Sequence, residues 1–383
     1  MANTLTNLIP VIYEGLDVVS REQAGAIRAV SMDSKAETAA KGQIVRSHIT
    51  PEATTEDVTP GNNPADSGDQ APGYVDVSIT KSKVSPIRWS GEEQLSVGGQ
   101  YNPILIDQFA QSIRALVNLV EADITALSVY ASRAYGTAGT APFGTSGDLS
   151  DFAQTLKILT DNGAPGTDRH LVLDSSAIAN IRGKQSGLFE VNRAGNDDLL
   201  RRGTIGMVQG LDVHESAAAA SHTKGTGASY AVDGAHSAGD TTITLKTGTG
   251  TVLAGDFVTF AGDTNKYMVT TGTAAAGDIV LAAPGLLADV ADGTAVTVGG
   301  THTANMAFAR SAVVLAARHP EMPKDQNGKP IDSAIDVMEV VDPLSGLSFQ
   351  VAMYAQYRRV KYEVGLAWGA KMIKPEHACI LLG

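Results

Sequence analysis

Charge is scarce in this sequence. Only 18% of its 383 residues are Asp, Glu, Lys or Arg, against roughly 25% in ordinary soluble domains. The formal net charge is −12, and no Lys/Arg block or basic–aromatic interleaving occurs. Sequence-independent nucleic-acid binding works by neutralising phosphates, so a dedicated DNA-binding surface is not expected; a wall that merely surrounds DNA needs none. The single cysteine, Cys379, excludes a disulfide framework within the chain and any site built from several thiolates. It reads as a buried structural thiol rather than a nucleophile. No apolar run reaches 18 residues, so no membrane-spanning helix is expected. The stretch MANTLTNLIPVIYEGLDVV lacks a basic region and carries Pro10 and acids where an apolar run would stand, so it does not read as a signal peptide. The expectation is a soluble protein made and kept in a reducing cytoplasm.

Signatures of chemistry are missing too. RGKQ and NGKP lack the upstream glycine spacing and the following Ser/Thr of a phosphate loop. There is no H-E-x-x-H and no G-x-S-x-G. The eight histidines are scattered, none paired with another at ligand spacing, and His214-Glu215 and His319 read as strand and loop residues. No catalytic residue, cofactor or metal site is expected. What the chain does have is apolar content: 43% hydrophobic residues and 40 glycines. That is enough for two or three domains with cores, and the low charge leaves surface available for burial against partners.

Residues 8 to 30 read as an amphipathic helix, with Ile12, Leu16, Val19, Ile27 and Val30 on one face. Glu14, Asp17 and Arg21 share another face, either a solvated one or an acidic docking patch for a basic partner. Residues 48 to 73 carry four prolines and three glycines with almost no apolar residues, the composition of a long loop or extended arm. VDVSITKSKV follows, where Val75, Val77 and Ile79 alternate as in a half-exposed strand. The strongest signal is 102 to 136. Asn102 is placed to N-cap, Pro103 suits the first helical position, and Gly136 is placed to stop the helix. Leu105, Phe109, Ile113, Leu116, Val120, Ile124 and Leu127 step by four and three. An unbroken helix over 103 to 135 would span about 50 Å. It is near-heptad, but the e/g charges of a coiled coil are absent.

From 148 to 215 helix-like and strand-like segments alternate, as in a small α/β or α+β unit. Between 217 and 300 helical periodicity vanishes. Ala-Gly-Asp occurs at 238, 254, 261 and 276, each ahead of a strand-like run: TTITLK, FVTF, KYMVTT and IVLA. With ASYAV and AVTV this makes about six short strands, the pattern of a small barrel or sandwich inserted over 222 to 302. Gly supplies positive φ and Asp closes each turn. The chain ends with two long strands around DPLSG, a third carrying Tyr362, Val364, Leu366 and Trp368, and a last segment holding Cys379.

SPIRWSGEEQ, residues 85 to 94, raises the one enzymatic possibility. Trp89 with Glu92 and Glu93 could suggest a carbohydrate-active enzyme. Adjacent helical residues point about 100° apart, so the two carboxylates would not face one substrate. Ser90-Gly91-Glu92-Glu93 matches a capping box instead, with Ser90 and Glu93 bonding each other's amides. Trp89, Ser90 and Glu93 then mark a junction between an extended loop and a spine helix.

Six segments in order resemble a tailed-bacteriophage major capsid protein: SITKSKVSPIRWSGEEQ, ASRAYGTAGTAPFG, LLRRGTIGMVQGLDVHES, NMAFARSAVVLAARHPEMP, DPLSGLSF and WGAKMIKPEHACILLG. The order is similar to the coat-protein branch of short-tailed podoviruses that carries an inserted β-barrel. The resemblance implies an α+β chain with the Hong Kong ninety-seven phage-type capsid fold. It places an N-terminal arm at 1–44 and an extended loop at 45–88. A peripheral domain would fill 89–147, with the spine helix at 103–135. An axial domain plus remaining peripheral strands would take 148–221 and 303–383, and the inserted domain 222–302. It implies self-assembly into an icosahedral shell around double-stranded DNA, without sequence-specific binding, through a scaffolded precursor that expands on maturation. The partners implied are further copies of the chain, a scaffolding protein, a portal and decoration proteins, with no membrane and no cofactor. Glu14 and Asp17 are candidates for scaffold docking. The implied location is the virion, assembled in the host bacterial cytoplasm. An encapsulin-like nanocompartment shell, which would enclose enzyme cargo, shares the fold and is the alternative.

Overall fold

The computed structural model describes residues 25–49, 55, 57, 73–97, 101–185, 205–327, 331–342 and 345–383. Glu14, Asp17 and most of the 48–73 stretch lie outside these residues. Of the helix expected over 8 to 30, the described part is α1 (Gly25–Ala29), with Ala26, Ile27 and Ala29 buried. It is followed by β1 (Ser31–Ala39), β2 (Ile44–Ile49), β3 (Gly73–Ser78) and β4 (Lys81–Ser90), then α2 (Gly91–Val97) and the long α3 (Tyr101–Thr125).

The second half is mostly sheet. β5 (Arg133–Tyr135), α4 (Ser150–Asp161), β6 (Arg169–Leu173), α5 (Ser175–Lys184), β7 (Met207–Val208), β8 (Leu211–Glu215) and β9 (Ala220–His222) come first. β10 (Tyr230–Val232), β11 (Thr242–Lys246), β12 (Phe257–Phe260), β13 (Lys266–Thr271), β14 (Gly277–Leu281) and β15 (Ala295–Val298) follow. The chain closes with β16 (His302–Ala309), β17 (Val313–Pro320), β18 (Ala334–Val341), β19 (Ser348–Gln356), β20 (Arg359–Met372) and β21 (Ala378–Leu382).

One sheet runs β1-β17-β20-β19-β18, with β4 also on β20. β20 organises it. One edge pairs with β4 from Arg359 to Trp368; the other pairs with β19 and, further along, with β17. The second sheet contains a ring, β12-β15-β10-β11-β14-β13, closed by the β12–β13 pairing. Every pairing in the ring is antiparallel. From β13 the sheet continues through β5, β21, β16, β6, β8 and β7. The ring has its own core, including Tyr230, Ile243, Phe260, Tyr267 and Ile279. A larger core packs α3 against β4, β17, β19 and β20.

The Ala-Gly-Asp turns work by one device. Gly239, Gly255 and Gly262 sit at φ +93, +94 and +92, a region L side chains avoid. At two of them the Asp carboxylate accepts a backbone N–H three residues back, Ser237 to Asp240 at 3.0 Å and Leu253 to Asp256 at 2.8 Å.

Three expectations change. The helix expected over 103–135 ends at Thr125; a 3₁₀ turn, Ala126–Tyr130, follows, and the chain is extended at Ala131. Arg133–Tyr135 is strand because it pairs with both β13 and β21. Thr125 Oγ1 donates to the Ala218 carbonyl at 2.6 Å, a tie to another segment at the helix end. The helix is therefore about 37 Å long, and Gly136 (φ +97) turns the chain after a strand. Helix α3 starts at Tyr101, so Asn102 and Pro103 lie in its first turn and Asn102 is not the cap. Finally, VDVSITKSKV is two strands. Ile79 N–H bonds the Gln43 carbonyl and Thr80 N–H the Trp368 carbonyl, so the chain changes partners there. The expected 45–88 loop range thus spans two settings, a ribbon and a sheet strand.

Candidate assembly surface

Strand β4 and helix α3 run antiparallel and are clamped at both ends. At one end Trp89, only 8% exposed, donates its indole N–H to Gln108 Oε1 at 2.7 Å and meets Tyr101 edge-on at 5.2 Å. At the other, Asp123 accepts from Lys81 Nζ at 2.6 Å and from Trp368 Nε1 at 2.8 Å. Residues 81 and 89 are about 26 Å apart in a strand at ~3.3 Å per residue. Residues 108 and 123 are about 22 Å apart in a helix at ~1.5 Å per residue. The two lengths match closely enough for both clamps to close without bending either element.

Ser90 ends β4 and caps α2. Glu93 N–H donates to Ser90 Oγ at 3.2 Å, and Ser90 N–H donates to Glu93 Oε2 at 2.7 Å. Bonding to Ser90 holds the Glu93 carboxyl below its ordinary range. A general acid needs the opposite shift. Glu92 and Glu93 are both exposed on this first turn.

Sequence reasoning missed a carboxylate inside the apolar stripe of α3. Glu121 is buried and accepts from Ala26 N–H at 2.6 Å and Ile27 N–H at 3.1 Å. It thereby takes two backbone amides of α1 as donors. Burial raises its pKa, against the lowering effect of these hydrogen bonds. A charged residue on the same helical face as Val117, Val120 and Ile124 was the available signal.

β2 and β3 form a two-stranded ribbon on their own. Arg46 pairs with Asp76 at 2.9 Å and lies over the Tyr74 ring at 3.7 Å, while Ile44 and Tyr74 are exposed. Its base is tight: a Cβ on Gly369 would collide with the Ser78 carbonyl. A lone two-stranded ribbon is marginally stable in water. β18 ends the body sheet, with Ile335, Val337 and Val341 exposed on one face at every second or fourth position.

The histidines are less scattered than the sequence suggested. His170 Nδ1 lies 3.0 Å from His214 Nε2, and Asp212 Oδ2 lies within 3.8 Å of the first and 3.4 Å of the second. β6 and β8 are parallel neighbours, with His170 opposite Asp212 and Val172 opposite His214. The D-x-H spacing was visible; the pairing partner was not. Burial lowers the His214 pKa. Cys379 is fully buried, and burial pushes its thiol up to about 12.

No family model and no curated protein matches the chain. Among solved structures, it is similar to a chain of Mycobacterium phage Che8 at 16% identity, covering 89% of this chain and 85% of that one, with TM-score 0.45. It is similar to the capsid of cyanophage P-SCSP1u at 12% identity, covering 92% and 86%, with TM-score 0.48. It is also similar to a virus-like particle from Pyrococcus furiosus at 9% identity, covering 97% and 98%, with TM-score 0.41. No residue role is carried across at these identities.

Proposed function

We propose that this chain is the major capsid protein of a tailed bacteriophage and builds an icosahedral shell from copies of itself. The observation that carries the reading is the β4–α3 clamp continuing into the β2–β3 ribbon. A rigid spine here holds the base of a ribbon that exposes Ile44 and Tyr74 and, among the described residues, has two strands. Such a ribbon gains stability by lying on a neighbouring copy. The exposed apolar face of β18 and the order of the six capsid-like segments support the same reading.

In this proposal the fold is the Hong Kong ninety-seven phage type. α3 is the spine of the peripheral domain, the α/β segments at 148–221 with 303–383 supply the axial domain, and the ring is the inserted domain of 222–302. Glu14 and Asp17 form part of a patch that docks a scaffolding protein. Trp89, Ser90 and Glu93 join loop to spine.

The test is size-exclusion chromatography and negative-stain imaging of the expressed chain with its scaffolding partner. Megadalton shells are expected. A small soluble oligomer under conditions where the chain is folded overturns the reading. Shells from the natural producer filled with enzyme rather than DNA would assign the nanocompartment role instead. Recruitment of scaffold by Glu14→Lys, Asp17→Lys at the unmodified level would remove the docking patch from the proposal.

A further inference from the structure

We propose that His170, Asp212 and His214 form a binding site for one divalent cation of the zinc class, stapling β6 to β8. Three observations combine. The first is register: in a parallel pair, side chains two apart on one strand share a face with the residue opposite. Asp212 and His214 are two apart, and His170 faces Asp212. All three side chains therefore leave the sheet on the same side.

The second is distance. A tetrahedral ion bound at ~2.0–2.1 Å sets its ligand atoms about 3.4 Å from one another. Here the three separations are 3.0 Å, 3.4 Å and 3.8 Å. Shifts of a few tenths of an ångström in side chains alone would admit the ion. Among the described residues this is where three His, Cys, Asp or Glu ligand atoms converge so closely.

The third is the support behind the ligand. His170 Nε2 is 2.9 Å from Asp168 Oδ1. Donation from Nε2 to Asp168 leaves the Nδ1 lone pair free to bind, the usual arrangement for a metal-bound imidazole. Arg310 faces the same group: its Nη2, a donor 3.0 Å from His170 Nε2, competes with Asp168 for that nitrogen, so metal binding at Nδ1 requires the Asp168 contact to prevail, while Arg310 Nε donates to Asp168 Oδ2 at 2.8 Å. Asp168 thus offsets the charge of Arg310, and Asp212 remains to offset the cation. Arg28 also acts electrostatically on His214, while Arg310 Nη1 donates to the Arg28 carbonyl at 2.9 Å. The site consequently sits where the α1 segment is tied to the sheet.

The donor set of two imidazoles and one carboxylate favours zinc, cobalt, nickel or copper over magnesium or calcium. The His170 side chain is 3% exposed, His214 15% and Asp212 41%. The open side lies at Asp212, where water completes a fourth position. The site closes two strands together and has no substrate in this proposal.

The experiment is calorimetric titration of zinc chloride into the chelator-stripped full chain, with cobalt absorption as a second readout. One saturable site per chain and tetrahedral cobalt bands are expected, with a rise in Tm on adding zinc. His214→Ala should abolish saturable binding, and Asp212→Asn, at an exposed position that leaves folding intact, should weaken it at least about tenfold. His222→Asn, beside the ring, should leave binding unchanged. Absence of saturable binding in the unmodified chain overturns the proposal, because the cluster is then a hydrogen-bonded histidine pair. One-to-one binding of full strength in both His214→Ala and Asp212→Asn overturns it equally.

Discussion

The ring and the body sheet are both six-stranded, yet they treat their edges in opposite ways. The ring closes β12 onto β13, so each strand has neighbours on both sides. The body sheet ends at β1 and β18 and carries the ribbon beside it. Exposed apolar side chains follow that difference. Within the ring segment they are Leu253 and Leu287; around the body they include Ile44, Tyr74, Leu95, Ile335, Val337, Val341 and Tyr357. Closure lets a domain satisfy its backbone alone, whereas open edges with apolar faces invite another chain. The comparison teaches that the ring pairs its own strands edge to edge, whereas the body, among the described residues, leaves sheet edges and apolar side chains exposed.

The largest effect should come from the joint between helix and body sheet. Trp368 is fully buried and bonded to Asp123, so Trp368→Ala should lower stability by about 3–5 kcal/mol in denaturant unfolding. Trp89→Ala should fall at the lower end of that range, and Trp89→Phe should lose about 1 kcal/mol with the Gln108 bond. A near-zero loss for both tryptophans would mean the clamp does not hold body and spine together.

A matched glycine pair would sharpen the contrast. A Cβ at Gly369 would strike the Ser78 carbonyl at the ribbon base, and one at Gly248 would strike the Tyr230 ring in the barrel core. Each Gly→Ala change should destabilise by about 1–3 kcal/mol. Hydrogen-exchange mass spectrometry should show lost protection in β3 and β20 for the first and in β10 and β11 for the second. Identical exchange maps would show that the two regions unfold as one unit.

Acid should act on the body through His319. Burial lowers its pKa, with Glu339 opposing, and its Nε2 lies 2.6 Å from Ser348 Oγ. The unfolded chain therefore takes up this proton first as pH falls. Its contribution to stability is full above the unfolded value of about 6.5 and declines as pH drops below it toward the depressed folded value. His319→Gln should reduce the slope of stability against pH in that window, by at most about 1.4 kcal/mol per pH unit. An unchanged slope would place the acid sensitivity elsewhere.

The smallest effect on the subunit should be the most telling for assembly. Ile335→Lys with Val337→Lys lies on an exposed edge and should change subunit stability by less than about 0.5 kcal/mol. Sedimentation should then show folded subunits that no longer form shells. Normal shells from this variant would remove β18 from the assembly surface.

Much of the local structure was legible from residue types. Ala-Gly-Asp turns ahead of short strand-like runs located the ring strands, S-x-x-E located the cap of α2, and the apolar stripe located α3 because burial of one face repeats every 3.6 residues. The far end of α3 was not legible. Leu127 continues the stripe, but Arg133–Tyr135 gains strand partners that lie more than 100 residues away, at 266–267 and 379–381. Glu121 was hidden for a similar reason, since its partners are amides of α1, 94 and 95 residues distant.

The sequence by itself determined most of the elements, the Ala-Gly-Asp turns and the want of a catalytic signature, because these depend on side-chain shape, backbone preference and neighbours within a few residues. Only the tertiary structure decided the closure of the ring, the length of the spine, the β4–α3 clamp and the meeting of His170 with Asp212 and His214. Those depend on strand register and long-range pairing. Register sets which distant residues face one another, and no local spacing records it.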